Sequence, residues 1–169
     1  MVDAQSYMIL RSPYEFEEKL RRLGSRSASA AERRFVQNAR LWRLAAAAMA
    51  TVDADFAARF TGLAVTRGFR GSPHIDTTNT GPFYGLALGD FAEGTGGIRV
   101  ELDPMTVAEV NTKGRLGKVD GRFPHWVAPY EVDGRHERYS LIFYQTEGEP
   151  TPRGSAVFGP LLDCGERTA

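Results

Sequence analysis

Near residue 61 the hydrophobic pattern changes period, and that change limits the folds open to the chain. Before it, Phe35, Ala39, Trp42, Ala46 and Met49 form one stripe, the spacing of a helix packed on a sheet. After it, Leu63, Val65 and Phe69 alternate with Ala64, Thr66 and Arg70, the two-residue period of a half-buried strand. Helix starts are marked in the first part. Ser12-Pro13-Tyr-Glu15 and Ser29-Ala-Ala-Glu32 read as capping boxes, the former with proline at the first helical position. Phe16, Leu20 and Leu23 follow at helical spacing, Gly24 stops that helix, and residues 25–29 read as a linker. A third, short helix is expected from about Asp53 to Phe60, closed by Gly62.

In the second part, short apolar runs are separated by Gly/Pro turns: Phe83–Leu88, Ile98–Leu102, Val107–Val110, Phe123–Val127, Tyr139–Tyr144 and Ala156–Leu162. Glycines at 81, 85 and 89 punctuate the first of these and point to a bulge or a close backbone approach. Helices first and many short strands afterwards predict an α+β fold with a double-stranded β-helix (jelly-roll) core. Residues 1–60 would be helical buttress and 61–162 the jelly roll, within one domain spanning 1–169.

Chemistry concentrates in Gly71-Ser-Pro-His74-Ile-Asp76-Thr-Thr-Asn79. In a strand, side chains two apart share a face, so His74 and Asp76 can converge on one metal ion. A third ligand must come from one of the two remaining histidines. His125 sits among residues suited to a buried strand, whereas His136, in Asp133-Gly-Arg-His136-Glu, reads as a polar turn. His74, Asp76 and His125 would form a 2-His-1-carboxylate triad on non-haem Fe(II), the two histidines reaching it from opposite ends of a small barrel. Arg138 and Ser140 share parity on a strand shortly after His125, and a planar fork with a hydroxyl suits a carboxylate bound end-on. Together these residues describe an iron(II)/2-oxoglutarate oxygenase.

The run Gly71-Ser-Pro-His-Ile-Asp76, then Gly81-Pro-Phe-Tyr-Gly-Leu-Ala-Leu-Gly89, resembles the TET/JBP family of DNA-base dioxygenases, closest to its algal and protist branch. Gly121-Arg-Phe-Pro-His-Trp-Val-Ala-Pro-Tyr130 and Arg138-Tyr-Ser-Leu-Ile-Phe-Tyr144 share the likeness, which covers roughly residues 60–146. The resemblance implies oxidation of the methyl group of 5-methylcytosine or thymine in DNA, with Fe(II) and 2-oxoglutarate, or ascorbate in its place. A base in a duplex must be flipped out to be reached, and Phe83, Tyr84 and Trp126 are candidates to stack on it. The cysteine-rich segment of animal members is absent, which leaves RNA, a free nucleoside or another small molecule open as substrate.

Charge gives no nucleic-acid footprint, since 21 basic and 21 acidic residues cancel and the pI is near 6.8. Lys19, Arg21, Arg22, Arg26, Arg33, Arg34, Arg40 and Arg43 in the helical part would suit phosphates, but Glu17, Glu18 and Glu32 lie among them and favour an ordinary solvated face. One cysteine, Cys164, fits a reducing compartment, and no signal peptide or bilayer-length apolar run is read. An intracellular location, the nucleus included, is the expectation. Two further classes stay open: a non-catalytic metal-binding jelly-roll module, and a cupin-like hydrolase or isomerase using zinc or manganese. Arg138 and Ser140 argue against the first, and the sparse histidines against the second.

Overall fold

A computed structural model describes residues 2–23, 29–131 and 137–160. The Gly24 stop, the linker up to residue 28, His136, Cys164 and the end of the 156–162 segment lie outside the described residues, as do the side chains of Glu15, Glu18, Lys19, Leu20 and Leu23. The chain opens with strands β1 (Val2–Asp3) and β2 (Ser6–Leu10), not with the helical support expected there. In Ser6-Tyr-Met-Ile-Leu10, Leu10 is buried and Tyr7 and Ile9 are exposed, the alternation of an edge strand.

Helices α1 (Tyr14–Leu23), α2 (Ala30–Gln37), α3 (Ala39–Ala50) and α4 (Ala54–Arg59) follow. The Ser29 box is formed in full: Glu32 N–H donates to Ser29 Oγ at 3.2 Å and Ser29 N–H to Glu32 Oε2 at 2.6 Å. The long second helix expected is broken at Asn38, whose side-chain amide donates to the Arg34 carbonyl at 2.8 Å and takes up an acceptor at the end of α2. Asp53 caps α4 by accepting from Phe56 N–H at 2.8 Å, and its second oxygen accepts from the Tyr84 hydroxyl, also at 2.8 Å. That second bond ties the helical layer to the sheet.

The remaining strands are β3 (Gly62–Arg67), β4 (Arg70–Gly71), β5 (Phe83–Gly89), β6 (Ile98–Asp103), β7 (Thr106–Val110), β8 (Gly117–Val119), β9 (His125–Val127), β10 (Arg138–Tyr144) and β11 (Val157–Gly159). They build a six-stranded antiparallel sheet, β11-β8-β5-β10-β3-β2, a three-stranded one, β7-β6-β9, and the small ribbon β1-β4. Alternation along the central strands sends successive side chains to different places. Leu63, Tyr84, Leu141 and Phe143 join Trp42, Met49, Phe56 and Phe60 in a core under the helices. Phe83 and Ile142, on the other face, meet Ile98, Val100 and Val110 of the smaller sheet. Gly85 is a close approach: a Cβ there would lie 2.6 Å from Ile98 Cδ1, so its absence lets the smaller sheet settle.

The double-stranded β-helix expected from the sequence is not what forms. Both sheets are open, and among the described residues no ladder joins their edges into a closed barrel. The stretch 71–79 is the physical reason. Pro73 has no N–H to donate, and Asp76–Asn79 curls into a turn, so beyond Gly71 the segment contributes one isolated bridge, His74 to His125. Strand β9 is cut to three residues between Pro124 and Pro129. The jelly-roll core implied by the TET/JBP resemblance is corrected with it. Among the described residues no helix is long and apolar enough to cross a membrane.

Phe143 is fully buried, with the ring of Phe60 edge-on at 5.4 Å. Phe143→Ala is expected to destabilise the fold by about 3–5 kcal/mol through lost burial and a residual cavity. Urea denaturation should show this as a lower midpoint at unchanged slope.

Candidate metal centre

His74 and His125 face each other as an antiparallel pair and exchange both backbone bonds: His74 N–H to His125 C=O at 3.1 Å, and His125 N–H to His74 C=O at 2.9 Å. Residues paired in this way carry their side chains on the same side, and the two imidazole centroids lie 4.4 Å apart. The histidines are thus cross-strand neighbours, not ligands from opposite ends of a barrel. Asp76 is anchored by its own N–H, which donates to the Gly121 carbonyl at 2.8 Å. Its Oδ1 is 3.8 Å from His74 Nε2, and its Oδ2 is 3.8 Å from His125 Nε2.

The donors are also correctly prepared. His74 Nδ1 is 3.0 Å from the Ser72 carbonyl and His125 Nδ1 is 3.0 Å from the Phe123 carbonyl. A carbonyl only accepts, so each Nδ1 carries the proton and each Nε2 lone pair faces Asp76. Burial holds His125 below the ordinary imidazole range, against the upward pull of the Phe123 carbonyl and Asp76. Asn79 Nδ2 donates to Asp76 Oδ2 at 3.0 Å and fixes the carboxylate. One ligand atom from each of the three residues lies within 4.8 Å of the others. Donors about 2.0–2.2 Å from a common ion sit roughly 3 Å apart when at right angles, so the two 3.8 Å His–Asp contacts need to shorten by about 1 Å and the widest separation by no more than about 2 Å. Two imidazoles and a carboxylate suit a divalent metal, and the set is of the kind metal-dependent oxidoreductases use.

The cluster opens into a cavity of about 240 Å³ between the sheets, lined also by Arg138 and Ser140. Arg138 is 3 % exposed. Its Nη1 donates to Ser140 Oγ at 2.5 Å and its Nη2 to the Gly96 carbonyl at 2.7 Å, while Nε finds no partner among the described residues. Its guanidinium lies 5.0 Å from the Tyr130 ring centroid and 5.5 Å from that of Phe91. Among the described residues no carboxylate pairs with it, and burial pushes its pKa down to about 10, so it stays charged at neutral pH.

The expected stacking residues are placed otherwise. Phe83 is buried 5.3 Å from the His125 ring at the inner wall of the cavity, Tyr84 faces the helices, and Trp126, half-buried, also lines the cavity. The wall also holds Tyr7, Thr66, Phe69, Asn79, Thr112 and Tyr144, which sequence reading did not single out. Parity offered one clue, since Tyr144 follows Arg138, Ser140 and Ile142 on one face of β10. Thr66 and Thr112 are buried and their hydroxyls have no hydrogen-bond partner among the described residues.

Gly121 packs against the cluster, where an added Cβ would lie 2.9 Å from Asp76 Oδ2 and 2.8 Å from the Phe83 ring. Gly121→Ala should therefore displace the carboxylate and weaken Mn(II) or Fe(II) binding by roughly 10–100-fold, the usual effect of disturbing a ligand's support. His125→Ala should abolish binding while the circular dichroism spectrum stays native. Metal titration followed by electron paramagnetic resonance checks both. Comparison of the chain with protein-family models and with curated proteins finds no match.

Proposed function

We propose that the chain is an Fe(II)- and 2-oxoglutarate-dependent oxygenase acting on the methyl group of a modified base, 5-methylcytosine or thymine, in DNA. The observation that carries the oxygenase reading is Arg138: a buried cation with no acidic partner among the described residues, lining the same cavity as the His74/Asp76/His125 cluster. The DNA-base part of the reading rests on the local likeness of the sequence motifs around those residues. Iron and a 2-oxo acid would together supply an oxidant able to break an unactivated C–H bond, chemistry that side chains alone do not offer.

The chain's own residues divide the remaining work. His74, Asp76 and His125 would hold the metal on one side only, with the histidines kept in the required tautomer by Ser72 and Phe123. Arg138 would take the distal carboxylate of the 2-oxo acid on its fork. Ser140, which already accepts a bond from Arg138, keeps its own proton free to donate to the same group. Ascorbate brings no carboxylate to that fork, which favours 2-oxoglutarate. The apolar wall of Phe83, Ile98 and Ile142 keeps water from the inner end of the cavity.

The direct test is anaerobic Fe(II) reconstitution followed by measurement of CO₂ release with methylated DNA, RNA and nucleosides. Release stimulated by DNA carrying 5-methylcytosine or thymine is the expected result, and its absence with every nucleic acid would remove the substrate. Arg138→Ala tests the division of labour. Losing one partner of a buried ion pair costs about 3–5 kcal/mol, so the 2-oxoglutarate requirement should rise by roughly two to four orders of magnitude. Lysine should rescue in part, since it offers a point charge in place of a fork. Fe(II) affinity should survive in both variants.

A further inference from the structure

Two aromatic rings at the cavity wall take no part in metal or carboxylate binding. Tyr7 lies on the edge strand β2 directly opposite Thr66 of β3, so its side chain projects over the same sheet face as the cavity. It is 54 % exposed, and its hydroxyl makes no hydrogen bond among the described residues. Burial of part of the ring, and secondarily the Asp76 carboxylate, raise its pKa above the usual phenol range. Phe69 is the second ring. Its backbone is pinned, with its carbonyl accepting from the Tyr130 hydroxyl at 2.8 Å and the preceding Gly68 N–H donating to the Arg138 carbonyl at 2.9 Å.

The two centroids are 6.4 Å apart and the planes are inclined by 39°. That spacing and tilt are those of two neighbouring rings in contact. Phe69 is half-buried, whereas Tyr7 stands on an exposed edge strand with room to swing outward and admit a flat ring between them. Two aromatic rings side by side at the wall of an open cavity offer a surface for stacking.

We propose that Tyr7 and Phe69 form an aromatic clamp that stacks on a flat ring of the substrate and turns its substituent toward Asp76 and the paired histidines. That the ring is a nucleobase rests on the function proposed above; the clamp itself rests on the geometry of the two side chains. Tyr7 and Phe69 would then select planar substrates, while Arg138 serves the co-substrate.

The test is a binding measurement on the full chain, without turnover. Fluorescence anisotropy would compare a single-stranded oligonucleotide carrying one 5-methylcytosine with the same strand carrying an abasic site in its place. The methylcytosine strand should bind more tightly by roughly 5–150-fold, which is what one base stacked on an aromatic side chain is worth. Tyr7→Leu and Phe69→Leu should each lose most of that preference with the abasic strand bound as before, and Tyr7→Phe should keep it. Equal binding of the two strands by the wild-type chain would overturn the clamp, as would a preference that survives Tyr7→Leu. Neither outcome depends on CO₂ release, so a chain that lacks oxygenase activity and a chain that lacks the clamp are told apart.

Discussion

The reciprocal pair of backbone bonds between His74 and His125 is the contact on which the site depends. Side chains in a strand alternate faces, so a register slip of one residue would carry an imidazole to the far side. An isolated bridge has no ladder of its own to prevent that slip. The register is held by its flanks: His125 pairs with Val100 in the smaller sheet, Glu101 N–H donates to the Pro124 carbonyl, and Asp76 N–H reaches Gly121. The same prolines and turn residues that keep the sheets from closing also leave both histidine rings beside an open space. An unbroken ladder through 71–79 would have made a more regular sheet and a less accessible metal site.

Strand β10 organises the opposite wall. It lies between β3 and β5, with hydrogen bonds on both sides, and its alternation separates structural from chemical roles. Leu141 and Phe143 pack under the helices, whereas Arg138, Ser140, Ile142 and Tyr144 line the cavity. The end of the site that carries Arg138 is therefore built on the best-supported strand, which suits the fixed fork proposed for it. The mouth is built differently. His74 and Ile75 are exposed and Tyr7 stands on a sheet edge, where backbone and ring have room to adjust to a larger partner.

Much of this was legible in the residues, and the exceptions have physical causes. Two-residue parity was enough to place His74 with Asp76 and Arg138 with Ser140, because parity is a local property of extended chain. The capping box of α2 was equally local. Closure of the sheets was not, since it depends on how far strands run beside one another, and Pro73, Pro124 and Pro129 shorten those runs in ways that a count of apolar segments does not reveal. Strand β2 was missed because five residues before a helix-start signal carry little periodic information, although Ser6-Tyr-Met-Ile-Leu10 holds the right residue types. The imidazole tautomers rest on Ser72 and Phe123 carbonyls, each two residues before its histidine, and no side-chain pattern encodes them.

Arg138 shows how the two halves of the site constrain each other. Taking a guanidinium out of water costs several kcal/mol unless other groups replace the solvent. Here the replacements are all neutral: the Ser140 hydroxyl, the Gly96 carbonyl and the ring faces of Tyr130 and Phe91. Each offsets part of the cost, a carbonyl bond to a charged donor contributing about 1.5–3 kcal/mol and a desolvated cation–π contact about 2. An aspartate or glutamate in the same place would satisfy the cation more fully and, by doing so, remove its attraction for any bound acid. Neutral partners keep the charge and its orientation while leaving its field uncompensated. Burial lowers the pKa only to about 10, so the charge persists through the neutral range where a carboxylate ligand is itself ionised. The local cost in stability and the uncompensated field that the proposed co-substrate role requires are thus the same fact.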